Sequence, residues 1–261
     1  MIAGTQAPSA PGSVPIAGPQ GRPCVVLVHG WCCHSGFWQH QVRHLVGRYR
    51  VVTPDLPGHG GSPVSCESWN IESFRDTLLA VVEQIGADGV TLVGHSLGAA
   101  VVLETAARLE ERADAVLMVE PFPYDYGHLR SRYVRELMAP FQRDFPGALR
   151  KMVYNITAGD TPRRIIQKIA GVMVQAPADV GLPAFESLLR WNPEPAFGKT
   201  VAPVHCLVGS RYDPRARERY AGSLREWCIE GAGHFPMIED PGRFNRLLDE
   251  VLTVVNGKDS G

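Results

Sequence analysis

With 261 residues and a formal net charge of −1, the chain is long enough for one domain with a sizeable core, and it has no overall field to draw it to nucleic acid or an anionic membrane. Its 44% apolar and 20% charged residues match a soluble globular protein, and no apolar run approaches the roughly 18 residues needed to span a bilayer. No basic segment followed by an apolar one opens the chain, so no secretory signal is expected; six cysteines without Cys-x-x-Cys or metal-ligand spacing read as reduced thiols of a cytosolic protein.

Residues 1–22 are rich in Pro, Gly, Ala and Ser and read as a flexible arm, with a short edge strand near Val14–Ile16. Strands and helices then alternate. Cys24–His29 is a buried strand, Phe37–Val46 a helix, Tyr49–Pro54 a strand, and Ile71–Gly86 an amphipathic helix with Gly86 as its cap. Gly89–Val93 is a short β-branched strand, Leu97–Arg108 a helix, and Ala115–Val119 a strand. This rhythm predicts an α/β fold with a mostly parallel sheet and helices on both faces. It breaks after Glu120. Helical spacing marks His128–Phe141, Pro162–Val174 and Ala178–Arg190, with no convincing strand between about 123 and 200. The rhythm returns with a strand at Val204–Val208, a helix near Pro214–Leu224, a strand near Trp227–Ile229 and a last helix over about Pro241–Val254. The chain therefore reads as an α/β core (23–122 and 201–256) carrying an inserted helical lid (123–200). The lid holds 11 Lys/Arg against 7 Asp/Glu, so the rest of the chain carries −1 − 4 = −5. Solvated helix faces account for those charges; over a pocket they would favour an anionic substrate.

Gly94-His95-Ser96-Leu97-Gly98 is the most informative stretch. The bare Gly-x-Ser-x-Gly pattern is weak, but here it joins a strand to a helix. A serine at such a turn is strained and exposed, and a side chain at either glycine would crowd it. The opening N–H groups of the new helix then point at whatever the serine attacks.

Three further motifs occur in register with this elbow: His29-Gly30-Trp31 after the first clear strand, Asp55-Leu56-Pro57-Gly58-His59-Gly60-Gly61-Ser62 after the second, and Gly233-His234-Phe235 before the last helix. With these four motifs the chain resembles the α/β-hydrolase superfamily over about residues 23–256. The resemblance implies the α/β-hydrolase fold with a nucleophile elbow and lid. One departure is that only about 22 residues precede the first core strand, so the family's leading antiparallel strands must be short or absent.

Ser96 needs a base to take its proton. His234 is the best candidate, since a Gly-rich loop presents it and it stands third in the superfamily's chain order of nucleophile, acid and histidine. His95, His29 and His59 read as structural. Two carboxylates compete for the acid that orients the histidine. Asp213, before Pro214, occupies the loop where the superfamily usually places it, although one residue further from Gly209 than is common. Glu120 ends the strand Val116–Val119; branches including haloalkane dehalogenases and cofactor-free quinaldine dioxygenases place the acid there, and Gly30-Trp31-Cys32 is similar to that second branch. Asp213 ranks first and Glu120 second. The backbone N–H groups of Leu97 and, by resemblance, Trp31 supply an oxyanion hole.

The expectation is a serine hydrolase acting on an ester, thioester or lactone of a small molecule. The alternatives are a cofactor-free dioxygenase, a C–C bond hydrolase, or a small-molecule receptor derived from a hydrolase. No cofactor, metal site, nucleic-acid motif or membrane segment is expected. Substrate identity and oligomeric state have no signature in the sequence.

Overall fold

The computed structural model describes residues 14–62, 66–209 and 212–256. Among them, seven strands form one sheet in the order β1-β3-β2-β4-β5-β6-β7. These are β1 (Ile16–Ala17), β2 (Cys24–Val28), β3 (Arg50–Val52), β4 (Val90–His95), β5 (Ala113–Val119), β6 (Val204–Val208) and β7 (Arg225–Cys228). Only β1 runs antiparallel, pairing Ile16 with Val52; every other neighbouring pair is parallel. This is the mostly parallel sheet expected. Among the described residues the leading antiparallel element is the two-residue β1; residues 1–13 of the proposed arm lie outside the described region.

The central strands have apolar residues on both faces because helices cover both sides. Every residue of β2, β4 and β6 is buried. The helices flanking the core are α1 (Gln39–Leu45), α2 (Ile71–Ile85) and α3 (Leu97–Leu109). The Asn70 side chain caps α2 by accepting the Ser73 N–H at 2.8 Å, and Gly86 ends it at φ 58°. Trp38 is wholly buried 6.0 Å from Phe244, and burial of an apolar side chain of this kind is worth about 3 kcal/mol.

Five helices separate β5 from β6: α4 (Ser131–Arg143), α5 (Phe145–Ile156), α6 (Arg163–Met173), α7 (Ala178–Arg190) and α8 (Glu194–Lys199). The core closes with α9 (Pro214–Tyr220), the single turn α10 (Pro236–Glu239) and α11 (Pro241–Asn256). Sequence periodicity misses α5, α8 and α10. For α5 the signal was present. Asp144 caps it by accepting the Gly147 N–H at 3.0 Å, and Phe145, Leu149 and Val153 recur every fourth residue on its buried face. Pro140 inside α4 and Pro146 at the start of α5 break the pattern into pieces that read as loop.

No helix among the described residues is long and apolar enough to cross a membrane.

Candidate active site

Ser96 follows β4 directly, with φ 53° and ψ −115°, a backbone conformation that ordinary residues avoid. Its N–H donates to the Val119 carbonyl at 2.9 Å, and its own carbonyl accepts the Ala99 N–H at 2.9 Å. The two elbow glycines are needed for close approach. A Cβ on Gly94 would run into the Gly98 carbonyl, and one on Gly98 into the carbonyls of Val28 and His29. Leu97 opens α3, where a helix's first N–H groups have no partner within the helix.

Backbone strain concentrates at this end of the sheet. Of the four described non-glycine residues with positive φ, three (Cys32, Ser96 and Glu120) lie just after β2, β4 and β5.

His234 sits on the turn between β7 and α10. Its N–H donates to the Ile156 carbonyl at 2.7 Å, and its own carbonyl accepts His95 Nε2–H at 2.7 Å. Its ring Nδ1 lies 3.4 Å from Glu120 Oε2. Glu120 is wholly buried, at φ 52°. A carboxylate is costly to bury unless it is hydrogen-bonded; Glu120 Oε1 accepts the Gly209 N–H while Oε2 faces the histidine. Asp213, the carboxylate ranked first from sequence, is bonded elsewhere. Its N–H donates to the Phe122 carbonyl at 2.8 Å, and Oδ1 accepts the Arg215 N–H at 2.9 Å, capping α9. The structure thus brings Glu120 onto His234 and leaves Asp213 on the cavity wall.

The remaining histidines near the site are structural in their surroundings. His29 Nδ1–H donates to the Gly30 carbonyl at 2.9 Å and Nε2 accepts the Leu56 N–H at 3.0 Å, tying the His29-Gly30-Trp31 segment to the Asp55–Ser62 loop. Burial, then the neighbouring His59, lower its pKa to about 3. Burial, then the neighbouring His234, hold His95 well below the usual histidine range, so it remains a neutral donor to the His234 carbonyl. Cys32 and Cys33, which adjoin the site in sequence, are both buried, and burial pushes their thiols up, away from the reactive thiolate.

Sequence reasoning missed Glu239. Its Oε1 accepts the Phe235 N–H at 2.8 Å, and its Oε2 accepts the Ala158 N–H at 2.7 Å and the Thr161 hydroxyl at 2.5 Å. One carboxylate thereby joins the turn that carries His234 to the link between α5 and α6. The signal lay in its position five residues after His234, but its partners are about 80 residues away in the chain.

Ser96, His234 and Asp213 line one cavity of about 350 Å³. Helices α5, α6 and α7 supply its apolar wall through Met152, Ile156, Met173, Phe185 and Leu188. Trp31 adds to it, with its indole stacked on Phe185 at 4.4 Å and its Nε1–H donating to the Gly181 carbonyl at 2.8 Å. The aromatic residues of 122–191 therefore divide. Tyr124, Tyr126 and Phe185 face the cavity, Phe122, Phe141, Phe145 and Trp191 are core, and Tyr133 and Tyr154 are exposed. The eleven Lys and Arg residues of the 123–200 segment are all exposed and none lines the cavity. They are solvated faces and give no reason to expect an anionic substrate.

The sequence matches the alpha/beta hydrolase family over residues 25–247. A pimeloyl-(acyl-carrier protein) methyl ester esterase of Methylococcus capsulatus is 44% identical to it, over 88% of this chain and 94% of the relative. Epoxide hydrolase A of Mycobacterium tuberculosis is 27% identical, over 91% of this chain and 92% of the relative. Among solved structures, a bromoperoxidase from Bacillus anthracis superposes with a TM-score of 0.82 at 22% identity, covering 92% of this chain and 94% of that one. The chain belongs to the alpha/beta hydrolase family, and it is an enzyme of that family.

Proposed function

We propose that the protein is a serine hydrolase that cleaves an ester, thioester or lactone of a small molecule through an acyl-enzyme intermediate. The observation that carries this reading is one constellation. Ser96, on a strained turn at the head of α3, shares a largely apolar cavity with His234, whose far ring nitrogen faces the buried Glu120. The esterase relative from Methylococcus supports the same reading.

Ser96 Oγ attacks the substrate carbonyl carbon while His234 accepts the hydroxyl proton. Charge gathers on the carbonyl oxygen, which the backbone N–H groups of Leu97 and Trp31 receive. The C–O or C–S bond breaks, His234 returns its proton to the leaving group, and the acyl chain stays on Ser96. Water, deprotonated by the same histidine, then releases the acid. Glu120 holds the imidazole in the tautomer with Nδ1–H and stabilises the imidazolium. The helices of the 123–200 segment act as a lid over the cavity, and the six unpaired thiols support a cytosolic location.

The place of Glu120, just after β5, favours a second reading. In it the His234–Glu120 pair abstracts a proton from a heteroaromatic substrate and Ser96 only orients that substrate. Short-chain p-nitrophenyl esters, tested on wild type and Ser96→Ala side by side, separate the two. Rapid turnover that falls by on the order of 10⁴-fold or more in the variant establishes the hydrolase. A folded wild type that hydrolyses none of them sinks it.

A further inference from the structure

We infer that Asp213 is a charge filter, and that the substrate is an ester whose group beside Asp213 is uncharged or cationic, with anionic substrates rejected; this rests on the hydrolase reading above. With Glu120 on His234, the Asp213 carboxylate lines the cavity without a bond to the histidine. Among the described residues it is the one carboxylate lining that cavity, and no Lys or Arg lines it. On α9, Arg217 pairs with Glu226 and Arg219 with Asp125 at 3.2 Å, and Arg215, two residues from Asp213, is exposed and does not line the cavity.

The rest of the wall reinforces the selection. Met152, Ile156, Met173, Phe185 and Leu188 offer nothing to solvate a charge, so a charged group placed against that side of the cavity loses water and gains no compensating donor from it. An anion faces in addition the field of Asp213 across a wall of low polarizability, where like charges repel far more than in water. A cavity of about 350 Å³ lies near the lower end of ligand-sized pockets, so any charged group bound within it stays close to that carboxylate.

The test uses three p-nitrophenyl esters of similar length: butyrate, hydrogen glutarate and 4-trimethylammoniobutyrate. The readout is kcat/KM for each, taken relative to butyrate, in wild type and in Asp213→Asn. Asparagine caps helices as well as aspartate does, so α9 keeps its start. The anionic ester is expected to be the poorest substrate of wild type, and its ratio to butyrate to rise about tenfold in the variant while the cationic ratio falls. A second measurement needs no variant. Raising the ionic strength to about 0.5 M should lift the anionic ratio of wild type by screening the carboxylate. Ratios that move with neither the substitution nor salt overturn the filter and leave the hydrolase reading standing. Equal collapse of all three rates in Asp213→Asn makes Asp213 the partner of the histidine and also overturns it. A wild type that turns over none of the three esters overturns the hydrolase reading and this inference together.

Discussion

Glu120 and His234 meet beyond the C-terminal ends of the strands with Oε2 3.4 Å from Nδ1, while the other oxygen of the same carboxylate accepts the backbone N–H of Gly209. The carboxylate therefore has two jobs, holding the loop after β6 and facing the histidine, and they can be separated. Glu120→Gln keeps an oxygen for Gly209 but presents an amide N–H₂ to Nδ1, which selects the wrong imidazole tautomer. We expect kcat to fall by about 10³- to 10⁴-fold with little change in melting temperature. Asp213→Asn should cost far less on a neutral ester, because its carboxylate bonds the Arg215 N–H and asparagine does the same. Steady-state kinetics of both variants on p-nitrophenyl butyrate decides between the acids, and a larger loss in Asp213→Asn would reverse the assignment.

The backbone at Ser96 is held at φ 53°, where any side chain is strained. Alanine removes the hydroxyl but keeps the Cβ, so it keeps the strain. Glycine removes both, at the cost of a more flexible unfolded chain. Ser96→Gly should be more stable than Ser96→Ala by about 1 kcal/mol, although both are inactive. Urea denaturation of the two variants measures this difference. An alanine variant as stable as the glycine variant would mean that the elbow stores no strain.

Much of this was readable in the chain itself, for physical reasons that differ between elements. The β4–Ser96–α3 unit is local, so a β-branched strand, two glycines and a helical apolar spacing within 20 residues describe it almost completely. The acid is not local. Glu120 and Asp213 each end a strand or open a helix, and only the register of β5 against β6, with Val119 opposite Leu207, brings the residue after β5 under the histidine. No spacing along the chain encodes that register. Glu239 was hidden for the same reason, since its partners Ala158 and Thr161 belong to the inserted helices.

That carboxylate makes a further prediction. Glu239 accepts three hydrogen bonds, one from the turn that carries His234 and two from the α5–α6 link. Glu239→Ala leaves those donors without their acceptor, and we expect a stability loss of about 3 kcal/mol. The same change removes one tie between the His234 turn and the inserted helices and leaves the His234 N–H bond to the Ile156 carbonyl, so kcat should fall more than KM rises. Glu239→Gln retains one acceptor oxygen and should recover part of both effects. If kcat is unchanged in a folded Glu239→Ala protein, the clamp does not position the histidine.

His29 and His95 are two buried histidines through which acid weakens the fold. His29 has its pKa lowered to about 3, first by burial and then by His59, and His95 is held well below the usual range by burial and then by the neighbouring His234. Unfolded, each would titrate near about 6.5. Between the two values the unfolded chain binds more protons than the native one, so stability is complete above about pH 6.5 and declines as the pH falls toward 3. Each histidine contributes a slope of up to about 1.4 kcal/mol per pH unit through that window. Chemical denaturation at pH 7.5, 6, 5 and 4 should show the decline, with no comparable change between about pH 7 and 8. His29→Asn keeps a side chain able to bond near Gly30 and Leu56 but cannot take up a proton. It should lower stability at pH 7.5 and flatten the acid slope. A variant with the wild-type slope would show that His29 does not remain neutral in the native fold.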